Sequence, residues 1–555
     1  MPRLDSTQPT DPSTNQRRAF WLVLALSLFL LAVPLAAAEL DPADSRITRP
    51  GSGDYEWGEV LASGDFDADG FEDLVIADPS EGEQGAPSNG SILIFYGARD
   101  GQLFSLTLIG GGNGACAASP TAGLGTALAV GDFNGDGADD LAASMPGQDV
   151  TRADSSTADG AGTVVVFFGL AGGFLGDSTC LHLELPDLPV AALDGDAFGS
   201  ALAAGDFDAD GAADLAVGIP GRTIDAADDA GMVAVFYGDD SAPPHFDLPR
   251  TTTFQQGADG LGGLIEPGDR FGSSLTSGDF LGGDMAGCDL AVGAPGEDIG
   301  VDDAGAVHVL FGCFSGFGLT GTGSLILQAV DVTGVGPQAG REFGLTLAYG
   351  NLGNDEGPSL LIGAPGHDQS LPADGGDELF VDVGAVFVYS NDLTAATPRT
   401  LWSAADLYGA AGGYDDFHRL GASMAVGKVG RGPDHLMIGA PGTLDCGFTC
   451  EASEGRVLYV PGGDGWTVDA VSSRSQVISL HSPMAPEAPS PQDRLGAGLT
   501  FCDLGGGVQA VIGIPGSQDP ESFERLGALW LVQSEILFDD GFESGDFSHW
   551  SSFTE

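Results

Sequence analysis

FGSALAAGDFDADGAADLAVGIPG, residues 198–221, is the stretch of sequence that decides the fold. It starts with small and apolar residues, passes through an acidic segment with an embedded glycine, and returns to an apolar run that ends at Pro220-Gly221. The segment DDAGMVAVFYG, residues 228–238, adds a third apolar run. Short apolar runs bounded by Gly, Asp and Pro are typical of β-strands joined by tight turns. The stretch therefore predicts three consecutive strands, at Phe198–Ala204, Leu215–Ile219 and Met232–Tyr237.

This pattern recurs seven times, about every 70 residues along the chain. Each copy opens with a large apolar residue followed by glycine, at Trp57, Leu124, Phe198, Phe271, Phe343, Leu420 and Leu495. A fourth, more polar segment follows the third run, as at Phe104–Ile109, His182–Leu185 and Ser324–Gln328. Four antiparallel strands repeated at this interval are typical of propeller blades. The chain has 89 glycines and almost no 3.6-residue periodicity, and these two features exclude a helical solenoid. The sequence predicts an all-β, seven-bladed β-propeller of four-stranded antiparallel blades.

Blade geometry accounts for the composition of the three apolar runs. Innermost strands crowd around the propeller axis, so the small residues of the first run suit that place. Second and third strands lie between neighbouring blades, so we expect continuous apolar runs that are buried on both faces.

The last repeat ends near Gln533 with three strands of its own. Ser45–Arg49 stands just before Trp57, where the other repeats place the fourth strand of the preceding blade. We therefore predict that this amino-terminal strand completes blade seven and closes the ring. Glu535–Phe538 is the alternative source of that strand. The predicted domains are the propeller at 39–534 and a short carboxy-terminal tail at 535–555.

The amino terminus, residues 1–38, has the features of a secretory signal peptide. Arg17 and Arg18 precede an apolar run of about 14 residues, Phe20–Val33, and Ala36-Ala37-Ala38 follows. The run is short for a membrane span, which needs ~20 residues. We expect cleavage after Ala38, a secreted or cell-surface protein, and no membrane span after cleavage. An uncleaved anchor is the alternative.

The charge balance is strongly acidic, with 80 Asp and Glu against 19 Lys and Arg, a net charge of −61. Such a surface repels nucleic acid phosphates and anionic lipids, so nucleic acid is excluded as a partner. It attracts metal cations instead, although much of the excess is also what a solubilising surface would show.

The repeated Phe-Gly opening and Gly-Ala-Pro-Gly close resemble the FG-GAP repeat of integrin α subunits. Gly293–Gly296, Gly363–Gly366 and Gly439–Gly442 match the second motif without a change. The resemblance covers about residues 45 to 533. It implies a calcium-binding, integrin α-like propeller whose ligand face is formed by loops such as Gly257–Arg270, Gly409–Arg419 and Ser482–Arg494.

An acidic loop lies between the first and second strands of each of the first three repeats. Oxygen side chains stand at loop positions 1, 3, 5 and 9, glycine stands at position 6, and position 7 can offer a backbone carbonyl. Calcium prefers six to eight such hard oxygen ligands, and three copies in register favour a metal site over solvated acidic turns. The predicted calcium ligands are Asp65, Asp67, Asp69, Phe71 and Asp73; Asp132, Asn134, Asp136, Ala138 and Asp140; and Asp206, Asp208, Asp210, Ala212 and Asp214.

Other metal sites fit these loops less well. An EF-hand needs a glutamate at position 12 and flanking helices, whereas Ile76, Ala143 and Val217 stand there. Magnesium resists dehydration and prefers few protein ligands. The corresponding loops of repeats four to seven are degenerate, and Lys428 places a cation at the first position of the sixth.

No catalytic residues can be assigned from the sequence, because it contains none of the common hydrolase or nucleotide-binding motifs. The expected function is a binding or cell-adhesion module for an extracellular protein or glycan ligand. The alternative is a secreted carbohydrate-active or phosphodiester-cleaving enzyme built on a propeller, since fold alone does not exclude catalysis.

Seven cysteines in an exported chain permit disulfides. The short loop between Cys446 and Cys450 predicts one bridge. Cys288 opens strand two of blade four and Cys313 ends strand three, so antiparallel pairing predicts a second. The alternative is that all seven cysteines are buried thiols. Three cysteines have no predicted partner: Cys116, Cys180 and Cys502.

Overall fold

Seven four-stranded antiparallel sheets make up the chain in the computed structural model, which confirms the predicted seven-bladed β-propeller. The structure describes most of residues 46–533. The longest gaps in that range are 49–56, 81–89, 111–121, 281–288, 330–337, 404–418, 443–454, 464–474, 479–493 and 516–527. Within the described residues, no helix has the length and hydropathy to cross a membrane.

Each blade runs from an innermost to an outermost strand in chain order. After β1 (Arg46–Thr48), the first three blades contain β2 (Val60–Gly64), β3 (Asp73–Asp78), β4 (Ser91–Tyr96) and β5 (Phe104–Gly110); β6 (Leu128–Gly131), β7 (Asp140–Met145), β10 (Thr163–Phe167) and β11 (Cys180–Glu184); and β12 (Leu202–Gly205), β13 (Asp214–Ile219), β14 (Met232–Phe236) and β15 (Thr252–Phe254). A small hairpin, β8 (Val150–Thr151) with β9 (Thr157–Ala158), extends the loop between the second and third strands of blade 2.

Blades 4 to 7 repeat the same order. They contain β16 (Ser274–Gly278), β17 (Asp289–Ala294), β18 (Ala306–Phe311) and β19 (Thr320–Gln328); β20 (Thr346–Gly350), β21 (Ser359–Ala364), β24 (Ala385–Ser390) and β25 (Thr400–Ser403); β26 (Ser423–Lys428), β27 (Asp434–Ala440), β28 (Arg456–Val460) and β29 (Gln476–Ile478); and β30 (Leu499–Asp503), β31 (Val508–Ile514) and β32 (Ala528–Gln533). The hairpin β22 (Gln369–Ala373) with β23 (Gly376–Phe380) extends blade 5.

The core lies between neighbouring blades, as the continuous apolar runs predict. Every residue of β3, β7, β13, β17 and β21 is buried, and so is every residue of β4, β10, β14 and β18. The innermost strands contact one another in a closed ring, in which β30 of blade 7 contacts β2 of blade 1. Most of their residues are only partly buried, because they line the axis.

The Phe-Gly and Gly-Ala-Pro-Gly motifs meet between blades. The N–H of Gly272, which opens blade 4, donates to the carbonyl of Gly293 in the same blade at 2.9 Å. The carbonyl of Gly272 packs against Gly218 of blade 3, where a Cβ would lie 2.0 Å from its oxygen. Blade 1 closes on blade 7 in the same way, since a Cβ at Gly513 would lie 1.8 Å from the Gly58 oxygen. At these two contacts the backbones are too close for a side chain on the second strand, so the position requires glycine.

A second set of glycines ends the innermost strands. A Cβ at Gly427 would lie 2.5 Å from Phe501 of blade 7, so the side chain of one blade occupies the space beside the glycine of the blade before it. In blade 7, Cys502 takes the place of this glycine. The next blade around the ring is blade 1, which has Ser63 where blade 7 has Phe501. A small partner leaves room for the buried Cys502 side chain.

The amino-terminal strand closes the ring. β1 is the outermost strand of blade 7 and pairs antiparallel with β32, with Ile47 opposite Leu529. This confirms the predicted closure by residues before Trp57 and not by Glu535–Phe538, which lies outside the described residues.

The cysteine predictions are only partly within the described residues. Cys180 is disulfide-bonded. Cys502 is free and buried. The predicted pairs Cys446–Cys450 and Cys288–Cys313 lie outside the described residues, as does Cys116.

Gly513→Ala should destabilise the propeller at its closure. The new methyl group meets the backbone of Gly58 and not a flexible side chain, so the blades must separate. We expect a loss of about 1–3 kcal/mol in the free energy of unfolding, measured by denaturant titration. The reverse change at the matching position of blade 1, Ala77→Gly, should cost no more than about 1 kcal/mol. Equal effects of the two variants would contradict the role given to the inter-blade contact.

Deleting Asp44–Arg49 should open the edge of blade 7. The backbone groups of β32 then lose their partners, and an exposed strand edge promotes self-association. We expect a lower melting temperature and oligomers in size-exclusion chromatography, whereas deletion of 535–555 should change neither. A monomeric deletion variant with the wild-type melting temperature would show that β1 is dispensable.

Candidate functional site

The acidic loops of the first three blades share one set of hydrogen bonds. In blade 1, the first loop carboxylate, Asp65, accepts the N–H groups of Asp69 at 3.0 Å and Gly70 at 2.9 Å. Asp132 of blade 2 accepts the equivalent pair at 3.0 and 2.9 Å, and Asp206 of blade 3 accepts it at 3.1 and 3.1 Å. Short Asp and Asn side chains that bond their own backbone two to five residues ahead favour such turns.

The fourth and sixth residues of each loop have left-handed backbone conformations. The sixth residue is Gly70, Gly137 or Gly211, with φ between 91° and 100°. The fourth is Ala68 (φ 53°), Gly135 (φ 68°) or Ala209 (φ 61°). The sixth position needs glycine for this turn, and the alanines at the fourth position carry some strain.

The fold brings the first, third and fifth side chains of the first and third loops together. Oxygen atoms of Asp65, Asp67 and Asp69 lie within 4.8 Å of one another, and those of Asp206, Asp208 and Asp210 do the same. Burial raises the pKa of Asp67, and the charges of Asp69 and Asp65 raise it further. Burial likewise raises the pKa of Asp210. Carboxylates held this close repel one another unless a cation lies between them.

The loop of blade 2 has the same hydrogen bonds with a different third residue. Asn134 Oδ1 accepts the N–H of Asp136 at 2.9 Å, as Asp67 and Asp208 accept the matching N–H at 3.2 Å in the other loops. All three donor sets consist of oxygens, which suits calcium, and the blade 2 set carries one negative charge fewer.

The aspartate at position 9 has a different role from the other three. Asp140 is buried, and its two oxygens accept the N–H groups of Phe133 at 2.9 Å and Gly169 at 2.8 Å. Asp73 and Asp214 make the same two bonds. Burial raises the pKa of all three to about 8, against the opposing effect of the N–H donors. These residues tie the loop to the end of the third strand and lie outside the clusters formed by positions 1, 3 and 5.

Position 9 keeps this role in blade 4, where the rest of the loop is degenerate. Asp289 accepts the N–H groups of Phe280 at 2.9 Å and Gly312 at 3.0 Å. In blade 4 the aspartate therefore ties the loop to the third strand although the other acidic positions are degenerate, whereas blades 5, 6 and 7 have Ser359, His435 and Gln509 at the matching position. The seventh residues, Phe71, Ala138 and Ala212, donate their N–H groups to the fifth carboxylates.

The eighth residue of a loop links it to the preceding blade, and sequence reasoning missed it. Asp139 of blade 2 accepts the N–H of Asp65 at 2.9 Å, and its own N–H donates to the Asp65 carbonyl at 3.0 Å. Glu72 of blade 1 makes the same pair of bonds with Asp503 of blade 7. In blade 3 the eighth residue is Ala213, whose N–H donates to the Asp132 carbonyl at 2.8 Å. The first two loops are therefore held from the next blade as well as from their own, and the acidic residues at position 8 of blades 1 and 2 were the available signal.

The loops expected to form a ligand face are at the opposite end of the blades. Gly409–Arg419 and Ser482–Arg494 lie almost wholly outside the described residues, while Gly257–Arg270 is described except for Asp259. In blade 3, Arg222 pairs with the buried Asp196 at 2.9 Å. At the matching positions, blade 4 has Glu297 and Asp269, so two acids replace an ion pair.

The acidic pair of blade 4 leaves Asp269 without a cation. Asp269 is 1% exposed, and one oxygen accepts the N–H of Glu266 at 2.8 Å while the other lacks a partner among the described residues. Burial raises the pKa of Asp269 to about 7, and the nearby charges of Glu297, Glu266 and Asp298 act in the same direction. Gln256 Nε2 donates to Glu297 Oε2, so the second acid is partly compensated.

Comparison with known proteins identifies the repeat. The family model for the FG-GAP repeat matches residues 124–167 and 198–236, and the model for the FG-GAP-like repeat matches residues 65–143. Phosphatidylinositol-glycan-specific phospholipase D of Homo sapiens is 32% identical over 170 residues, which are 30% of this chain and 18% of that protein. Integrin alpha pat-2 of Caenorhabditis briggsae is 30% identical over 249 residues, 43% of this chain and 18% of that protein. The chain thus spans about a fifth of the length of these relatives.

The similarity to solved structures is low. A rhamnogalacturonan lyase of Bacillus licheniformis has a TM-score of 0.37 and 12% identity, covering 88% of this chain and 75% of the lyase. The intramolecular trans-sialidase of Ruminococcus gnavus has a TM-score of 0.33 and 11% identity, covering 86% of this chain and 94% of that chain. Likeness at this level indicates nothing about the chemistry of this chain.

Asp269→Asn should flatten the dependence of stability on pH. Because the pKa of Asp269 is raised from 3.8 to about 7, the folded state binds this proton more tightly than the unfolded chain does. The stabilisation is complete below about pH 4 and is lost as the pH rises through about 7. In chelator, the melting temperature of the wild type should therefore fall more between about pH 5 and about 8 than that of the variant.

Asp154→Asn is the matched control. The hydrogen bonds from Ser156 lower the pKa of this carboxyl, so its titration lies below that pH range and the wild-type slope should remain. An Asp269→Asn slope equal to that of the wild type would contradict the assignment.

Proposed function

Since the chain contains FG-GAP repeats folded as a seven-bladed β-propeller, we propose that it is an exported, calcium-stabilised binding module. The observation that carries the proposal is the clustering of oxygen ligands within 4.8 Å in loops that share one backbone conformation. Calcium accepts such all-oxygen sites at 2.3–2.6 Å with flexible geometry. In each loop the first, third and fifth side chains would hold the ion, with the seventh carbonyl as a further ligand, while the ninth carboxylate fixes the loop through its two backbone hydrogen bonds.

Calcium in these loops would stabilise the contacts between blades. The first loop residue of one blade is hydrogen-bonded to the eighth residue of the next, as Asp65 is to Asp139. An ion that neutralises Asp65 would therefore also hold the segment to which the neighbouring blade is bound. The bound ion supplies charge neutralisation and rigidity, and the function proposed for it is structural.

The proposed location outside the cytoplasm has two supports. Residues 1–38 have the pattern of a cleaved secretory signal, with Arg17-Arg18, the apolar run and Ala36-Ala37-Ala38. The disulfide at Cys180 suits an oxidising compartment. The expected site of action is the medium or the cell surface.

The proposed activity is binding or adhesion to an extracellular protein or glycan. The similarity to integrin alpha pat-2 extends over 43% of this chain and supports an adhesion role. The similarity to a phospholipase D favours the second candidate, a secreted enzyme acting on carbohydrates or phosphodiesters. That match covers 18% of the phospholipase, so a shared propeller is sufficient to explain it.

One screen distinguishes a binding function from a catalytic one. The protein lacking residues 1–38 is applied to arrays of glycans and extracellular matrix proteins, in calcium and in chelator, and the captured ligand is analysed for products. Saturable, calcium-dependent binding of an unchanged ligand supports the module. Release of a cleaved product would establish the enzyme instead.

Millimolar calcium should raise the melting temperature of the wild type relative to chelator. At the affinity typical of extracellular modules, ~10⁻⁴–10⁻³ M, each occupied loop adds about 0.5–1.5 kcal/mol. The triple variant Asp67→Ala, Asn134→Ala and Asp208→Ala removes the third ligand of every loop and should abolish the shift. Asp228→Ala with Asp302→Ala removes the same net charge from exposed positions at the opposite end and should retain it. Identical wild-type melts in calcium and chelator would rule out the proposed metal role.

A further inference from the structure

The third loop already has a cation beside it. Arg250 ends a 3₁₀ turn, Leu248–Arg250, between the third and fourth strands of blade 3. Its Nη1 donates to Oδ2 of Asp208, the third residue of the loop. Asp208 is only 2% exposed, so this charged hydrogen bond is well shielded from water.

The guanidinium is held in place by more than this carboxylate. Its central carbon lies 4.2 Å from the centre of the Tyr237 ring, an arrangement in which the ring attracts the cation. The ring is itself fixed, because the Tyr237 hydroxyl lies 3.2 Å from Thr252 Oγ1 and accepts the N–H of Leu319 at 3.2 Å. The Arg250 N–H donates to Asp247 at 2.8 Å, which secures the turn. Arg250 is therefore a fixed neighbour of the loop.

The first two loops differ from the third in this respect. In the described part of the chain, no ion pair involves the carboxylates of the first two loops: Asp65, Asp67, Asp69, Asp132 and Asp136. Their backbone hydrogen bonds are nevertheless the same as those of the third loop. Arg250, and not the loop conformation, distinguishes the third loop.

We propose that Arg250 is a resident cation of the third loop, which calcium must displace in order to bind there. This inference rests on the proposed calcium function of the loops. A divalent ion that binds Asp208 repels a guanidinium bonded to the same carboxylate, so the ion pair breaks as calcium enters. The third loop therefore binds calcium more weakly than the first two and fills last. Its occupation releases the Arg250 side chain from Asp208.

Calorimetric titration of calcium tests the affinity of this loop alone. In a protein carrying Asp67→Ala and Asn134→Ala, which disable the first two loops, Arg250→Gln should tighten binding about tenfold, as expected for loss of one competing charged hydrogen bond. Arg250→Lys keeps the charge and should tighten it less. Arg419→Gln removes an arginine of similar exposure from its ion pair with Glu342, far from the third loop in sequence, and should leave the affinity unchanged.

The outcomes separate the two proposals. If the wild type binds no calcium at all, the calcium function fails and the role of Arg250 fails with it. If the wild type binds calcium but Arg250→Gln leaves the affinity of the third loop unchanged or weaker, only the role of Arg250 is overturned. Melting curves in chelator confirm that each variant is folded before it is titrated.

Arginine modification provides a readout that does not depend on any variant. Phenylglyoxal reacts with accessible guanidinium groups, and mass spectrometry reports the modified fraction at each arginine. Saturating calcium should increase the modification of Arg250 severalfold while that of Arg419 stays constant. Equal modification of Arg250 with and without calcium, under conditions where calorimetry shows the third loop filled, would overturn the displacement.

Discussion

The close approach of two glycine backbones between neighbouring blades is the contact on which this propeller depends. The carbonyl of the glycine that opens one blade lies where the Cβ of the preceding blade's second strand would be, 1.8 Å away at the Gly58–Gly513 closure. Packing at this distance sets the separation of the sheets, and the buried second and third strands fill the space between them. Blades 1 and 2 have Ala77 and Ser144 instead of this glycine, so the contact tolerates a small side chain where the following blade adjusts.

The acidic loops depend on the same association of blades. The first loop residue is held by the eighth residue of the next blade, and the ninth residue ties the loop to the third strand of its own blade. Side chains at positions 1, 3 and 5 are then free to face one another, because the backbone is held by other groups. A cation bound in the loop, as we propose, would therefore stabilise the packing of the blades.

The excess of acidic residues has different consequences at the two ends of the blades. In the loops, the carboxylates cluster around a position suited to a cation, and Arg250 supplies one in blade 3. At the opposite end, Arg222 compensates Asp196 in blade 3, whereas Asp269 of blade 4 is buried beside other acids. The acidic residues therefore form candidate cation sites at one end of the blades and raise the pKa of a buried carboxyl, Asp269, at the other.

The sequence by itself determined the number of blades, their strand order, the closure by the residues before Trp57 and the loop side chains at positions 1, 3 and 5. These features are local or periodic, so each repeat confirms the others. The sequence did not show that Asp140 accepts backbone hydrogen bonds. One of its donors, the N–H of Gly169, follows a strand that only folding brings near Asp140. Only the tertiary structure placed Arg250 beside Asp208 and Asp139 beside Asp65. These contacts join segments that lie far apart in the chain, and their energies depend on distances that no local pattern encodes.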